Sequence, residues 1–323
     1  MILSRCHSLV SPGMESTGTP SRFWQQLSDE HAALLERHGY GEVKRQQALR
    51  YFTWQWRWRQ MVRSEQLRFL LRATGKADLT RVVLARQPLS RALWRGLPWG
   101  LADRWLYARA TRLLWLYAQR HGDPEVLALG EPALGNPPPV LWRGEVISQD
   151  LANCALEAEA IRRAMHGTRP GSILEIGSGY GRTAYSLLGI FPEASYTVVD
   201  IEPALSITRF YLTSLHPDRE LHFVEAGNLD AVVARPDLVV AIAAFEDMTP
   251  GQVAAYLLWL DRVVAPGATV FVKQWEQWHN PADDVVNRLD DYPVPAGWAA
   301  TFREAAPVQT RFLQAAWRVG TPA

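Results

Sequence analysis

The sequence predicts an α/β protein, with a mostly parallel sheet in its C-terminal half and an all-helical module before it. From residue 150 onward, short apolar runs alternate with helix-length amphipathic stretches, the signature of a parallel sheet covered on both faces. Before residue 129 the apolar residues recur at helical spacing instead. The halves also differ in charge: residues 1–150 carry 21 Lys and Arg against 13 Asp and Glu, and residues 151–323 carry 13 against 20.

At 323 residues, 48% hydrophobic and 21% charged, the chain has the composition of a soluble globular protein of one large or two moderate domains. Two cysteines, Cys6 and Cys154, cannot form a disulfide framework, which fits a reducing cytoplasm. No uncharged run approaches the roughly 20 residues of a membrane helix, so no membrane partner is expected. Residues 1–21 hold a lone Arg5 and no apolar core for a signal peptide, and read as an unstructured leader.

Residues 22–128 form the predicted helical module. "SRFWQQLSDEHAALLERHGY" starts at a serine cap and places Phe23, Leu27, Ala33, Leu34 and Leu35 near one stripe. "LADRWLYARATRLLWLYAQRHG" (101–122) sets Leu101, Trp105, Leu106, Leu113, Leu116 and Tyr117 on one side and ends in a basic last turn and glycine. Residues 129–147, rich in Pro and Gly, are the expected linker, and 148–323 the second domain. There "DLANCALEAEAIRRAMHG" reads as a helix and "SILEIG" as a strand, with a helix from about Arg182 to Leu188. "SYTVVD" is a strand with a helix over 203–215, and "LHFVEA" and "DLVVAIAAF" are strands. "TPGQVAAYLLWLDRVV" is a helix with Pro250 in its first turn, and "GATVFVKQW" is a strand.

In such sheets ligands bind beyond the carboxyl ends of the strands. The first strand runs into "EIGSGYGRT", a glycine-rich loop. A phosphate loop would end in Gly-Lys-Ser/Thr, but Gly181 is followed by Arg182 and Thr183. A dinucleotide turn would read G-x-G-x-x-G, whereas this one is G-x-G-x-G. Glu175 at the strand end would repel a pyrophosphate, but suits the ammonium of S-adenosylmethionine (SAM). Asp200, closing the second strand beside Ile201, is placed to accept hydrogen bonds from ribose hydroxyls. Gly227 and Asn228 after the third strand fall where adenine would lie. With Gly177, Ser178, Gly179, Tyr180 and Gly181 as the wrapping loop, this is the pattern of a class I SAM-dependent methyltransferase. Such a fold is Rossmann-like, with seven mostly parallel strands.

Several further stretches resemble the sugar O-methyltransferase family: "SYTVVDIEPALSITRFYLTSLHP", "AAFEDMTPGQVAAYLLWLDRVVAPGATVFVKQW", "DDYPVPAGWAATFREAAPVQTRFLQAAWRV" and "EPALGNPPPVLWRGEVISQDLANCALEAEAI". "YGEVKRQQALRYFTW" matches more loosely, and the resemblance spans about residues 22–319. It implies methyl transfer from SAM to a sugar hydroxyl of a glycoconjugate or specialised metabolite. The alternatives are a non-sugar small molecule or a SAM-binding module without catalysis. One departure concerns the acceptor: where the family pattern has Ser-Phe-x-Glu-Met, this chain has Ala244-Phe245-Glu246-Asp247-Met248.

A sugar hydroxyl is a weak nucleophile, so a general base is sought at the carboxyl edge of the fourth or fifth strand. Asp247 is the first candidate, with Glu246 beside it; capping of the next helix is its alternative role. Lys273 is the next, as an anion binder or a base, or else as a lysine leaving the sheet for solvent. His279 and Trp275 are candidates for acceptor contact, and Gln149, Asp150 and Asn153 for contact with acceptor or SAM, with Ser148 or Asp150 capping their helix as the other reading. The eight histidines lack HxxxH and HxH spacing, so no metal is expected. "YFTWQWRWRQ" (51–60) interleaves aromatic and basic residues, but the charge of that half is modest beside nucleic-acid modules. Nucleic acid is therefore not the expected partner, leaving the module as a lid on the acceptor pocket or a homodimer contact.

Overall fold

A computed structural model describes residues 17–45, 57–233 and 235–320. Most of "YFTWQWRWRQ" and the first 16 residues of the expected leader lie outside the described residues.

Among the described residues six helices come first: α1 (Arg22–His38), α2 (Trp58–Arg63), α3 (Glu65–Ala73), α4 (Lys76–Leu84), α5 (Leu101–His121) and α6 (Pro124–Ala128). Ser21 and Ser64 cap α1 and α3, their side chains accepting from Trp24 N and Leu67 N. The expected stripes are not the buried faces. In α1 only Leu35 of the five is buried, together with His31. In α5, Leu101 and Trp105 are 65% and 41% exposed, while nearly every residue from Tyr107 to Ala118 is buried. Helices α2, α3 and α4 pack on α5. The hairpin of β1 (Val140–Trp142) and β2 (Glu145–Ile147) and α7 (Gln149–Ala164) pack on it too, so α5 is an axis rather than a surface helix. Buried Arg112 fastens it, donating to the carbonyls of Leu141, Ala85 and Arg86. The expected linker thus contains a hairpin packed on α5.

The remaining strands are β3 (Ser172–Ile176), β4 (Ser195–Asp200), β5 (Leu221–Glu225), β6 (Leu238–Ile242), β7 (Thr269–Trp275), β8 (Gln277–Asn280), β9 (Val285–Arg288), β10 (Trp298–Ala305) and β11 (Phe312–Val319). The remaining helices are α8 (Arg182–Ile190), α9 (Ala204–Leu215) and α10 (Pro250–Val263). A seven-stranded sheet has the order β10-β11-β7-β6-β3-β4-β5. Five neighbouring strands, β7 to β5, are parallel, and β11 runs antiparallel between β7 and β10. The fold is Rossmann-like, as the alternation of strands and helices requires.

Side chains divide between the faces at a period of two. Ile173, Leu238, Val240 and Ile242 join a core with α5, α7, α8 and α9; Leu174, Ile176, Val239 and Ala241 join the core beneath α10. The first core runs unbroken from Leu35 to the sheet, so the helical half shares it. Between β7 and β10 the chain forms a β8–β9 hairpin instead of a crossover helix. Chain order reverses between β3 and β6, and the crevice beyond their carboxyl ends is the expected ligand site.

Candidate active site

A cavity of about 440 Å³ opens there. Its floor is the loop after β3. Gly177 has φ +73°, and a Cβ on it would stand 2.4 Å from Ala244 Cβ, so only glycine lets the loops after β3 and β6 pass. Gly181 is the left-handed cap of α8, outside the cavity lining, whereas Gly177, Ser178, Gly179 and Tyr180 line it. Asp200 and Ile201 line it too. Asp200 Oδ2 accepts from Ser178 N (2.8 Å), Ser178 Oγ (3.1 Å) and Gly179 N (3.3 Å), and Oδ1 accepts from Ile201 N (2.8 Å). Burial pushes this carboxyl up to about 6 against the pull of those donors. The amides that would cradle a phosphate in a phosphate-binding loop are thus occupied by an internal anion.

Glu175 departs from expectation. Its side chain is buried off the cavity, accepting from Tyr196 OH at 2.9 Å, and burial pushes it up to about 8. The strand pleat explains this: Glu175 and Ile176 point to opposite faces, and Ile176 takes the cavity side. Glu157 of α7, which no sequence motif marks, lines the cavity where Glu175 does not. It accepts from Arg182 Nη1 (2.8 Å) and Lys273 Nζ (2.6 Å). Burial acts to raise Glu157, but the two cations outweigh it and hold the carboxyl below its usual range. Lys273 is buried, not solvated; burial lowers its ammonium below the usual range even with Glu157 opposing, and Gln309 accepts a further hydrogen bond.

On the β6 side, Glu246 lines the cavity and Asp247 does not. Glu246 Oε2 accepts from Trp275 N at 2.7 Å, and burial pushes the carboxyl up to about 8. Asp247 sits behind the wall, its carbonyl accepting from Ser21 Oγ at 2.9 Å and its carboxyl also pushed up to about 8 by burial. Neither caps α10, because Thr249 accepts from Gln252 N. Ala243 holds φ +53° at this turn, an uncommon conformation for a residue with a side chain.

Trp275 lines the far end, stacked on Trp278 (centroids 5.9 Å, 29°) and tilted against Phe312 at 4.8 Å; Trp24 and Gln60 add to this wall. The mouth is crossed by residues 17–21 of the expected leader and the first turn of α1. Thr17 Oγ1 donates to Ala226 O (3.0 Å), Gln252 Nε2 donates to Thr19 O, and the amides of Arg22 and Phe23 donate to the Asp283 carboxylate. Segment 17–24 is therefore part of the site.

Six other expected residues do not line the cavity. Gly227 lies against Gly18 and Asn228 is exposed, so Ala226 is the residue from the β5 end that lines it. Gln149 donates to Thr111 Oγ1, Asp150 accepts from Tyr180 OH at 2.8 Å, and Asn153 is buried in α7. Ser148 is the cap of α7, and Asp150 braces the loop from behind. His279, the sixth, stands exposed on β8 with Asp284 at 3.3 Å. Among the described residues, no group of three or more His, Cys, Asp or Glu could hold a metal ion.

No family model matches the chain, and no curated protein matches it. Its fold is similar to that of several solved structures. The pyocyanin biosynthetic protein PhzM shares 16% identity over 53% of this chain and 58% of its own, with a TM-score of 0.41. An O-methyltransferase family protein from Burkholderia thailandensis shares 12% over 54% and 59%, TM-score 0.41. The N-methyltransferase NodS from Bradyrhizobium japonicum WM9, in complex with S-adenosyl-L-homocysteine, shares 15% over 51% and 85%, TM-score 0.39. The chain spans little more than half the length of the first of these, and at such scores the likeness decides nothing about its chemistry.

Proposed function

We propose that the chain is a SAM-dependent O-methyltransferase whose acceptor is a hydroxyl of a sugar, in a glycoconjugate or a specialised metabolite. The observation that carries this reading is the Asp200 carboxylate seated on the Ser178 and Gly179 amides. A pyrophosphate has no donors left there and meets a negative charge, whereas an adenosine offers ribose hydroxyls to the same carboxylate. Glu157 suits the ammonium of the methionine moiety, and Arg182 and Lys273 suit its carboxylate.

Methyl transfer is an in-line displacement: an acceptor oxygen attacks the methyl carbon, the carbon–sulfur bond breaks, and the sulfonium leaves as a neutral thioether. Alignment of oxygen, carbon and sulfur supplies much of the rate. Glu246 is the cavity-lining carboxyl on the β6 side and takes the role of base, in place of Asp247. The Trp275–Trp278 stack suits the apolar face of a sugar ring, and Gln60 and Gln309 supply amide groups for its hydroxyls.

The test is calorimetric titration with S-adenosyl-L-homocysteine, followed by turnover of SAM against a panel of glycosides and non-sugar alcohols. Micromolar binding with turnover only on glycosides is expected. Absence of cofactor binding overturns the whole reading, and turnover confined to non-sugar acceptors overturns the sugar assignment.

A further inference from the structure

Residues 57–120 carry 14 Lys and Arg against three acids, Glu65, Asp78 and Asp103, a balance of +11 that the proposed reaction does not use. Each acid is already paired, with Arg311, with Arg81 and Arg120, and with Arg57 respectively. Ten of the basic residues, from Arg57 to Arg95, are exposed.

The same stretch exposes large apolar side chains: Leu84 (74%), Leu101 (65%), Val83 (51%) and Trp105 (41%), with Trp58 and Val62 on α2. They come from neighbouring elements. Leu101 and Trp105 are one turn apart on α5. The Arg109 guanidinium lies 4.2 Å from the Trp105 ring centroid, and its Nη2 donates to Val83 O at 3.1 Å, joining α5 to the end of α4. Trp58 N donates to Asp103 Oδ1 at 2.9 Å, bringing α2 to the same end of α5. Apolar side chains gathered in this way mark an interaction surface.

We propose that this face docks on a bilayer surface bearing anionic lipids. Charge complementarity selects the partner. Another copy of the same stretch would set exposed cations against exposed cations. A nucleic acid would use the arginines and tryptophans, but gains nothing from exposed Leu84, Val83 and Leu101. An anionic bilayer uses both, with arginines at the headgroups and Leu and Trp at the acyl boundary. No helix among the described residues is long and apolar enough to cross a membrane, so the contact is peripheral. The sequence-based expectation of no membrane partner, drawn from the lack of a span, does not address such a surface. Helix α2 carries Gln60 in the cavity wall as well as Trp58 and Val62 on this face.

The test is co-sedimentation of the full chain with vesicles of phosphatidylcholine alone or mixed with phosphatidylglycerol, at low and high salt. Binding only to the mixed vesicles, weakened by salt, is expected. The pair Arg86→Glu and Arg91→Glu should lower partitioning by roughly tenfold or more. The pair Leu84→Ser and Trp105→Ala should lower it by roughly tenfold, with circular dichroism unchanged. Equal binding to neutral vesicles, or none to either, overturns the proposal. So does tight binding of a single-stranded oligonucleotide without vesicle binding, or a dimer that these substitutions dissociate. None of these residues lines the cavity, so cofactor titration of the same variants reports the catalytic reading separately.

Discussion

Asp200 and Ser178 are joined twice, through the Ser178 amide at 2.8 Å and its hydroxyl at 3.1 Å, so the acid that ends β4 organises the loop that ends β3. Asp200→Ala leaves those donors without their acceptor, at a cost of about 1–3 kcal/mol in stability. It also removes the proposed ribose acceptor. Affinity for S-adenosyl-L-homocysteine should fall by roughly tenfold or more, read by calorimetry, and Asp200→Asn should lose less because it keeps one acceptor oxygen. Unchanged affinity in Asp200→Ala would remove the residue from the cofactor site.

Glu246 should set the pH dependence of turnover. Burial holds its carboxyl near 8, so the basic form grows as pH rises through that value, and kcat should climb and level off above it. Glu246→Gln should cost ~10²–10⁴-fold in kcat and flatten the profile. If Asp247→Asn does this and Glu246→Gln does not, the base lies behind the wall and the roles are exchanged.

Glu175 makes the opposite kind of prediction, about stability. Burial raises its carboxyl from 4.5 to about 8, so its contribution is fully present below about 4.5 and is lost as pH rises towards 8. Glu175→Gln keeps an acceptor for Tyr196 OH and cannot ionise. The fall of Tm between those two pH values should be shallower in the variant, and cofactor affinity should change little. A large loss of affinity would return Glu175 to the ammonium role that its sequence position suggests.

Removing Glu157 leaves buried Lys273 and partly buried Arg182 without their shared anion. Glu157→Ala should destabilise the fold by about 3–5 kcal/mol in urea unfolding. Lys273→Met should cost less, since Glu157 keeps Arg182. Equal costs would mean that the three charges do not act as one cluster.

Gly177→Ala should destabilise by about 1–3 kcal/mol, because the new methyl meets Ala244 Cβ at 2.4 Å and the backbone φ is +73°. Adding Ala244→Gly removes the collision but not the dihedral, so the double variant should recover part of the loss. Full recovery would show that packing alone demands the glycine.

The five parallel strands were legible in the sequence because a buried parallel sheet needs apolar runs, and the loop after β3 because its turn needs glycine; the antiparallel strands β1, β2 and β8 to β11 were not. Asp200, Glu246, Lys273 and Trp275 were legible for the same reason: each stands at or just beyond a strand's carboxyl end, where the fold places its ligands. What lies on the cavity side of those ends was not. Glu175 and Glu157 exchanged places because a strand pleat turns one inward while a helix from another part of the chain brings in the other. Asp247 and Glu246 are adjacent, and only the turn after β6 decides which faces the cavity. The closing segment, Thr17 to Trp24, carries no motif; its place follows from hydrogen bonds to residues more than two hundred positions away. Local pattern thus determined the scaffold and the loop, because propensity and periodicity act over a few residues. Tertiary structure decided which charges meet, because burial and pairing depend on neighbours that sequence distance does not reveal.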